Sequence, residues 1–206
     1  GVDIRGRSRT LNINYRTSHQ IRRQADQLLP SSIADVDGNV EDRHHTISVF
    51  NGPVPDIQIY SDMAEETAAV AAWIKARRAD GIAPEEIGIF VRSRAQLPRA
   101  IQAIAESGEQ SAELDDMITP EKGAVAVSTM HLAKGLEFRA VAVIACDDEV
   151  VPQQERIESV ADMADLEEVY NTERHLLYVA CTRARDHLLA AGVDPASEFL
   201  DDLELS

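Results

Sequence analysis

Phosphoryl transfer depends on positive charge placed where the γ-phosphate charge develops, and several stretches of this chain hold residues suited to such work. Arg16 lies in Leu11-Asn12-Ile13-Asn14-Tyr15-Arg16-Thr17, and Arg183 in Tyr178-Val179-Ala180-Cys181-Thr182-Arg183-Ala184-Arg185. An arginine set against a transferring phosphoryl group is worth about 10³ to 10⁵ in rate, roughly 4 to 7 kcal/mol of barrier. As a plain charge at a helix C-terminus, Arg183 would contribute only about 0.3 to 1 kcal/mol. Between them runs Val127-Ser128-Thr129-Met130-His131-Leu132-Ala133-Lys134-Gly135-Leu136-Glu137-Phe138. The Thr129 hydroxyl and the His131 imidazole are donors of a kind that can touch a phosphate backbone without reading bases.

No G-x-x-x-x-G-K-[ST] loop occurs in the 206 residues, so this chain cannot cradle nucleotide phosphates alone. Val141-Ala142-Val143-Ile144-Ala145-Cys146-Asp147-Asp148-Glu149 has the outline of a strand ending in metal-binding carboxylates. Without a phosphate loop that assignment lacks its other half, so neither Asp147 nor Asp148 is expected to hold magnesium, and no metal site is expected. Gly135 belongs to no G-x-G-x-x-G fingerprint.

The elements that must position these residues alternate. A short strand at Thr10 to Ile13 precedes a helix capped by Thr17 or Ser18 and stopped by Pro30. Residues 31–55 read as loop with one strand at Thr46 to Phe50, and Asp56 to Tyr60 as a strand. Asp62, with Glu65 three residues on, starts a helix with Val70, Trp73 and Ile74 on one face, closed by Gly81. Ile87 to Arg92 is a buried strand, and Leu97, Ile101 and Ile104 line a helix that Gly108 ends. Ala124 to Thr129 and Ala140 to Cys146 are Val- and Ile-rich runs of the kind buried on both faces in parallel sheets. A long helix from about Met163 to Arg183 and a strand at His187 to Ala191 complete a doubly wound α/β pattern. On a helix, Arg185 would face away from Arg183 and is left out of the site.

Composition limits the alternatives. The length suits one α/β domain over residues 1–206. Cys146 and Cys181 have no metal-ligand spacing and read as free thiols of a reducing, cytoplasmic compartment. No run of 18 apolar residues and no secretory leader layout is present, which disfavours a membrane role. The net charge of −16 opposes nonspecific attraction to nucleic acid. Yet charge is segregated: residues 1–25 hold six arginines against Asp3, while residues 147–173 hold ten acids against Arg156 alone.

The three quoted stretches, in this order, resemble motifs IV, V and VI of UvrD/Rep-like superfamily 1 DNA helicases. The resemblance implies the C-terminal RecA-like domain: a parallel sheet of the P-loop-NTPase type, helices on both faces, without its own phosphate loop. It assigns Arg16 and Arg183 to the γ-phosphate of ATP, Tyr15 to adenine stacking, Glu137 to the ribose and Gly135 to close backbone approach. Thr129 and His131 match positions that touch single-stranded DNA, while Glu173 and Tyr178 read as positioning residues. The N-terminal RecA-like domain of the same polypeptide would supply the phosphate loop, the Mg²⁺ ligands and the catalytic carboxylate. Beginning at Gly1, the chain is expected to be an excised domain, inactive alone.

Larger family members carry an accessory domain between the strand at Ile87 and the one entering motif V. Only residues 93–124 separate them here, room for one helix and a loop, so duplex contacts tied to that insertion do not transfer. The expected function is ATP-dependent 3′→5′ movement on single-stranded DNA. The alternative is a noncatalytic nucleic-acid-binding or regulatory module with a helicase-like fold.

Overall fold

The computed structural model describes residues 12–14, 16–29, 32–34, 40–42, 46–48, 50–114 and 121–204. Its centre is a six-stranded sheet, every pairing parallel. The strands are β5 (Asp56–Tyr60), β6 (Ile87–Val91), β7 (Gln110–Glu113), β8 (Ala124–Thr129), β9 (Phe138–Val143) and β10 (Ala184–Val193), in spatial order β5-β10-β9-β6-β8-β7. Short strands β1 (Asn12–Asn14) and β4 (Thr46–Ser48) pair in parallel apart from it, and β2 (Ser32–Ala34) and β3 (Val40–Asp42) pair antiparallel.

The apolar runs of β6, β8 and β9 are buried on both faces because a helical layer covers each. Along β9, Val141 and Val143 point into one core and Ala140 and Ala142 into the other, the alternation of a pleated strand. Helices α2 (Met63–Ala79) and α3 (Leu97–Ser107) bring Val70, Ile74, Leu97 and Ile104 to the second face. On the first lie α1 (His19–Ala25), α5 (Met163–Cys181) and α6 (Glu198–Leu203), with Ile21, Leu177, Phe199 and Leu200. Each such aliphatic side chain, fully buried, stabilises the fold by about 1.5 to 3 kcal/mol. The short α4 (Gln154–Glu158) sits in the segment leading to α5.

Local signals hold where they are local. Ser18 caps α1, and Asp62 caps α2 through Glu65 N–H at 2.8 Å, while the Glu65 carboxylate accepts from Ser61 N–H at 2.9 Å. Four expectations are corrected. Residues 31–55, read as loop with one strand, also hold β2 and β3. Ile101 is 37% exposed; Ala100 and Ala103 face inward instead. Residues 110–113, read as loop, form edge strand β7 beside β8. The long helix α5 stops at Cys181, so Arg183 lies in the turn before β10, and β10 starts three residues earlier than expected. Among the described residues no helix is long and apolar enough to cross a membrane.

Candidate functional site

Strands β6, β9 and β10 all begin at the same edge of the sheet, and that edge collects charge. Arg16, 121 residues away from Glu137 in sequence, pairs with it through Nε at 2.9 Å. Both side chains are exposed, at 71% and 55%, so in water the pair is worth little in stability, about 0 to 1 kcal/mol.

Arg183 stands beside them, anchored from both sides. Its carbonyl accepts from Phe138 N–H at 3.0 Å, fixing the turn to the start of β9. Its Nε donates to the Val179 carbonyl at 2.9 Å, and its terminal nitrogens reach the Leu136 carbonyl and Thr182 Oγ1, both at 3.4 Å. These acceptors are neutral, and among the described residues no carboxylate pairs with Arg183. Burial, then the neighbouring Arg16 charge, lowers its pKa, and Glu137 opposes them. A partly buried guanidinium held by neutral oxygens next to a second guanidinium favours an incoming anion.

The chain leading to Arg16 is tied to the same turn. Thr17 Oγ1 donates to the Thr182 carbonyl at 3.2 Å, and Ser18 N–H to the Arg185 carbonyl at 3.0 Å. Arg16, Glu137, Phe138, Glu85, Glu86, Arg139 and Arg185 line a cavity of about 360 Å³. Arg185, expected on a helical turn, is instead the second residue of β10 and lines the cavity while its Nε donates to Asp186 at 2.8 Å. Arg139, Glu85 and Glu86 carried no sequence signal beyond flanking strand starts. Gly135 has φ +88°, a conformation that strains any residue with a Cβ. Tyr15 lies outside the described residues.

Thr129 and His131 lie elsewhere. Thr129 ends β8 and His131 lies on the 3₁₀ turn after it, at the opposite edge of the sheet, ~17 Å away by strand rise. Residues 134–137 carry the chain back to the start of β9. His131 is exposed, and its pKa is lowered by partial desolvation and then by Arg92, with Glu173 opposing and Arg156 adding to the fall. Beneath it, Glu173 is 0% exposed and accepts both prongs of the buried Arg92 at 2.6 Å, and Arg156 at 2.8 Å. These guanidiniums hold the Glu173 carboxyl below its ordinary range against the pull of burial.

Asp147, at the end of the run that outlines a metal-binding strand, is bound by Arg99 at 2.6 Å and by Val193 N–H at 2.8 Å. Among the described residues no group of three potential ligands is placed to hold a metal ion.

Residues 99–191 match the UvrD-like helicase C-terminal domain. A putative ATP-dependent DNA helicase, YjcD of Bacillus subtilis, is 42% identical over 84 residues, covering 37% of this chain and 10% of its own length. The ATP-dependent DNA helicase UvrD1 of Mycobacterium tuberculosis is 34% identical over 103 residues, 45% of this chain and 12% of its own. The ATP-dependent DNA helicase Rep of Buchnera aphidicola is 38% identical over 74 residues, 36% and 10%. This chain thus spans about a tenth of the length of these relatives. In fold it is similar to the crystal structure of the C-terminal domain of a possible DNA helicase from Lactobacillus plantarum, with a TM-score of 0.63, 21% identity and coverage of 93% of this chain and 94% of that one. Sequence motifs, sheet and relatives converge on one likeness: residues 99–191 of this chain match a UvrD-like helicase C-terminal domain.

Proposed function

We propose that this chain is the C-terminal motor domain of an ATP-dependent DNA helicase or translocase that moves 3′→5′ on single-stranded DNA. The observation that carries the reading is the meeting of Arg16, Glu137 and Arg183 at one sheet edge, with Arg183 bonded, among the described residues, to neutral oxygens. Arg183 and Arg16 neutralise charge developing on the γ-phosphate of ATP seated between this edge and an N-terminal RecA-like domain. That partner domain supplies the phosphate loop and the ligands for magnesium, which polarises the phosphates when bound. Glu137 releases Arg16 toward the phosphate and turns to the ribose, while Tyr15 stacks on adenine and Gly135 lets the backbone approach.

At the other edge Thr129 and His131 hold the DNA backbone. His131 does so as a neutral imidazole, since its pKa lies below the ordinary value. Nucleotide-driven closure at one edge then moves the DNA grip at the other, because β8, the turn and β9 form one continuous segment.

The test is steady-state ATP hydrolysis by the polypeptide that carries this domain with a phosphate-loop domain, as wild type and as Arg183→Ala, with and without single-stranded DNA. Stimulation by DNA that falls by about 10³-fold or more in Arg183→Ala is the expected result. Equal rates would make Arg183 structural, and no activity in either protein would favour the noncatalytic module.

A further inference from the structure

The segment 147–173 holds one base among ten acids, and the fold puts that base beside the candidate DNA residues. Arg92 and Glu173 form a closed pair, 3% and 0% exposed, with both carboxylate oxygens engaged by the Arg92 fork. Their charges cancel. Arg156 adds a second guanidinium to the same carboxylate through one terminal nitrogen at 2.8 Å, with its side chain 39% exposed. The cluster therefore carries one surplus positive charge, and Arg156 presents it to solvent. Gln153 N–H also reaches Glu173, at 3.4 Å, so the carboxylate fixes the start of α4 as well as the guanidinium riding on it.

Burying a carboxylate with one arginine already satisfies charge and geometry; a second, half-exposed arginine on it does not improve the core. It does place a permanent cation beside His131, whose imidazole is pushed toward the neutral form by desolvation and then by Arg92 and Arg156, with Glu173 opposing. Arg94, also exposed near the end of β6, is engaged by Glu113 at 2.8 Å.

We infer that Arg156 is a third contact to the single-stranded DNA backbone, adding a phosphate-neutralising charge beside Thr129 and His131, and that Glu173 is its positioning residue. The inference rests on the motor reading above. When a phosphate approaches, Arg156 keeps its Glu173 bond and directs its free nitrogens outward, so no bond to the buried carboxylate need break. The mostly acidic segment around it repels DNA and narrows the approach to this point.

The experiment measures binding of oligodeoxythymidylate to the intact helicase polypeptide across a salt series, for wild type, Arg156→Gln, Arg156→Lys and Arg94→Gln. Losing one phosphate contact lowers the slope of log affinity against log salt by about 0.7, and at fixed salt weakens binding about ten-fold. Arg156→Lys keeps the slope, because the charge remains, and Arg94→Gln matches wild type. A wild-type slope and affinity in Arg156→Gln overturn the inference while leaving the motor reading intact. Failure of the wild type itself to bind overturns both. A thermal melt of each variant accompanies the titration, and an Arg156→Gln protein that melts early while Arg156→Lys melts normally but loses the slope also counts against the inference.

Discussion

Replacing Arg99 with methionine removes the cation from a buried triad and tests how the acidic turn after β9 is used. Glu66 is 0% exposed and Arg99 7%. Arg99 binds Glu66 through Nε and Asp147 through both terminal nitrogens, at 2.6 and 3.2 Å. In Arg99→Met, Glu66 keeps only the Ala145 N–H at 3.1 Å, whereas Asp147 keeps Val193 N–H and some access to water. Stranding one partner of a buried pair costs about 3 to 5 kcal/mol. With a urea slope of about 2 kcal/mol per molar, the midpoint falls by roughly 1.5 to 2.5 M. Trp73, the single tryptophan, is packed in the α2 and α3 core and reports the transition by fluorescence. Burial already raises the Glu66 pKa, with Arg99 opposing, so folding takes up a proton more readily than the unfolded chain does. Stability from this group is present below about 4.5 and is lost as pH rises through the raised folded pKa. Without Arg99 that pKa climbs further, so the deficit of the variant relative to wild type shrinks toward pH 5. Arg99→Met with Glu66→Gln recovers most of the loss, since the amide oxygen still accepts from Ala145. A midpoint within 0.5 M (about 1 kcal/mol) of wild type, or a deficit unchanged between pH 8 and pH 5, would refute this account of the triad.

Two further expectations concern the site edges. A Cβ added to Gly88 would lie 2.8 Å from Phe138 Cδ2, and Phe138 follows Glu137 into β9; Gly88→Ala should cost about 1 to 3 kcal/mol in a urea melt and also weaken nucleotide-analogue binding by displacing Glu137. His131 and His187 both have pKa values lowered, chiefly by desolvation and then by neighbouring arginine charge. The unfolded chain therefore takes up these protons first, so the stability they contribute is present above about 6.5 and falls as pH drops below it. Imidazole resonances that titrate with midpoints above 6.5 in the folded protein would contradict this.

Much of the sheet was legible because its signals are local or periodic. Runs such as Val125-Ala126-Val127 and Val141-Ala142-Val143 need only their own composition to read as doubly buried strands. Ser18 and Asp62 cap helices through N–H groups three residues on. Edge strand β7 was not legible: Gln110-Ser111-Ala112-Glu113 has no apolar alternation and is a strand because β8 offers it a row of hydrogen-bonding groups. Ile101 was misplaced because Leu97, Ala100 and Ile104 already fill the buried stripe of α3. Arg183 and Arg185 were read as helical because Val179-Ala180-Cys181 continues a good helix pattern. What ends that helix is the pairing of Ala184 with Phe138, a partner 46 residues away.

By itself the sequence determined which residue types are available for phosphate chemistry and their order along the chain, because motif spacing is a covalent property. It also determined that a phosphate loop is missing from these 206 residues. Only the tertiary structure decided who meets whom. It joined Arg16 to Glu137 and left Arg183 among neutral oxygens. It sent Thr129 and His131 to the far edge of the sheet, and set Arg156 on a carboxylate already satisfied by Arg92. The physical reason is that charge acts over a few ångströms of space, with no regard for distance along the chain. Strand order, which no local pattern encodes, determines which charges come that close.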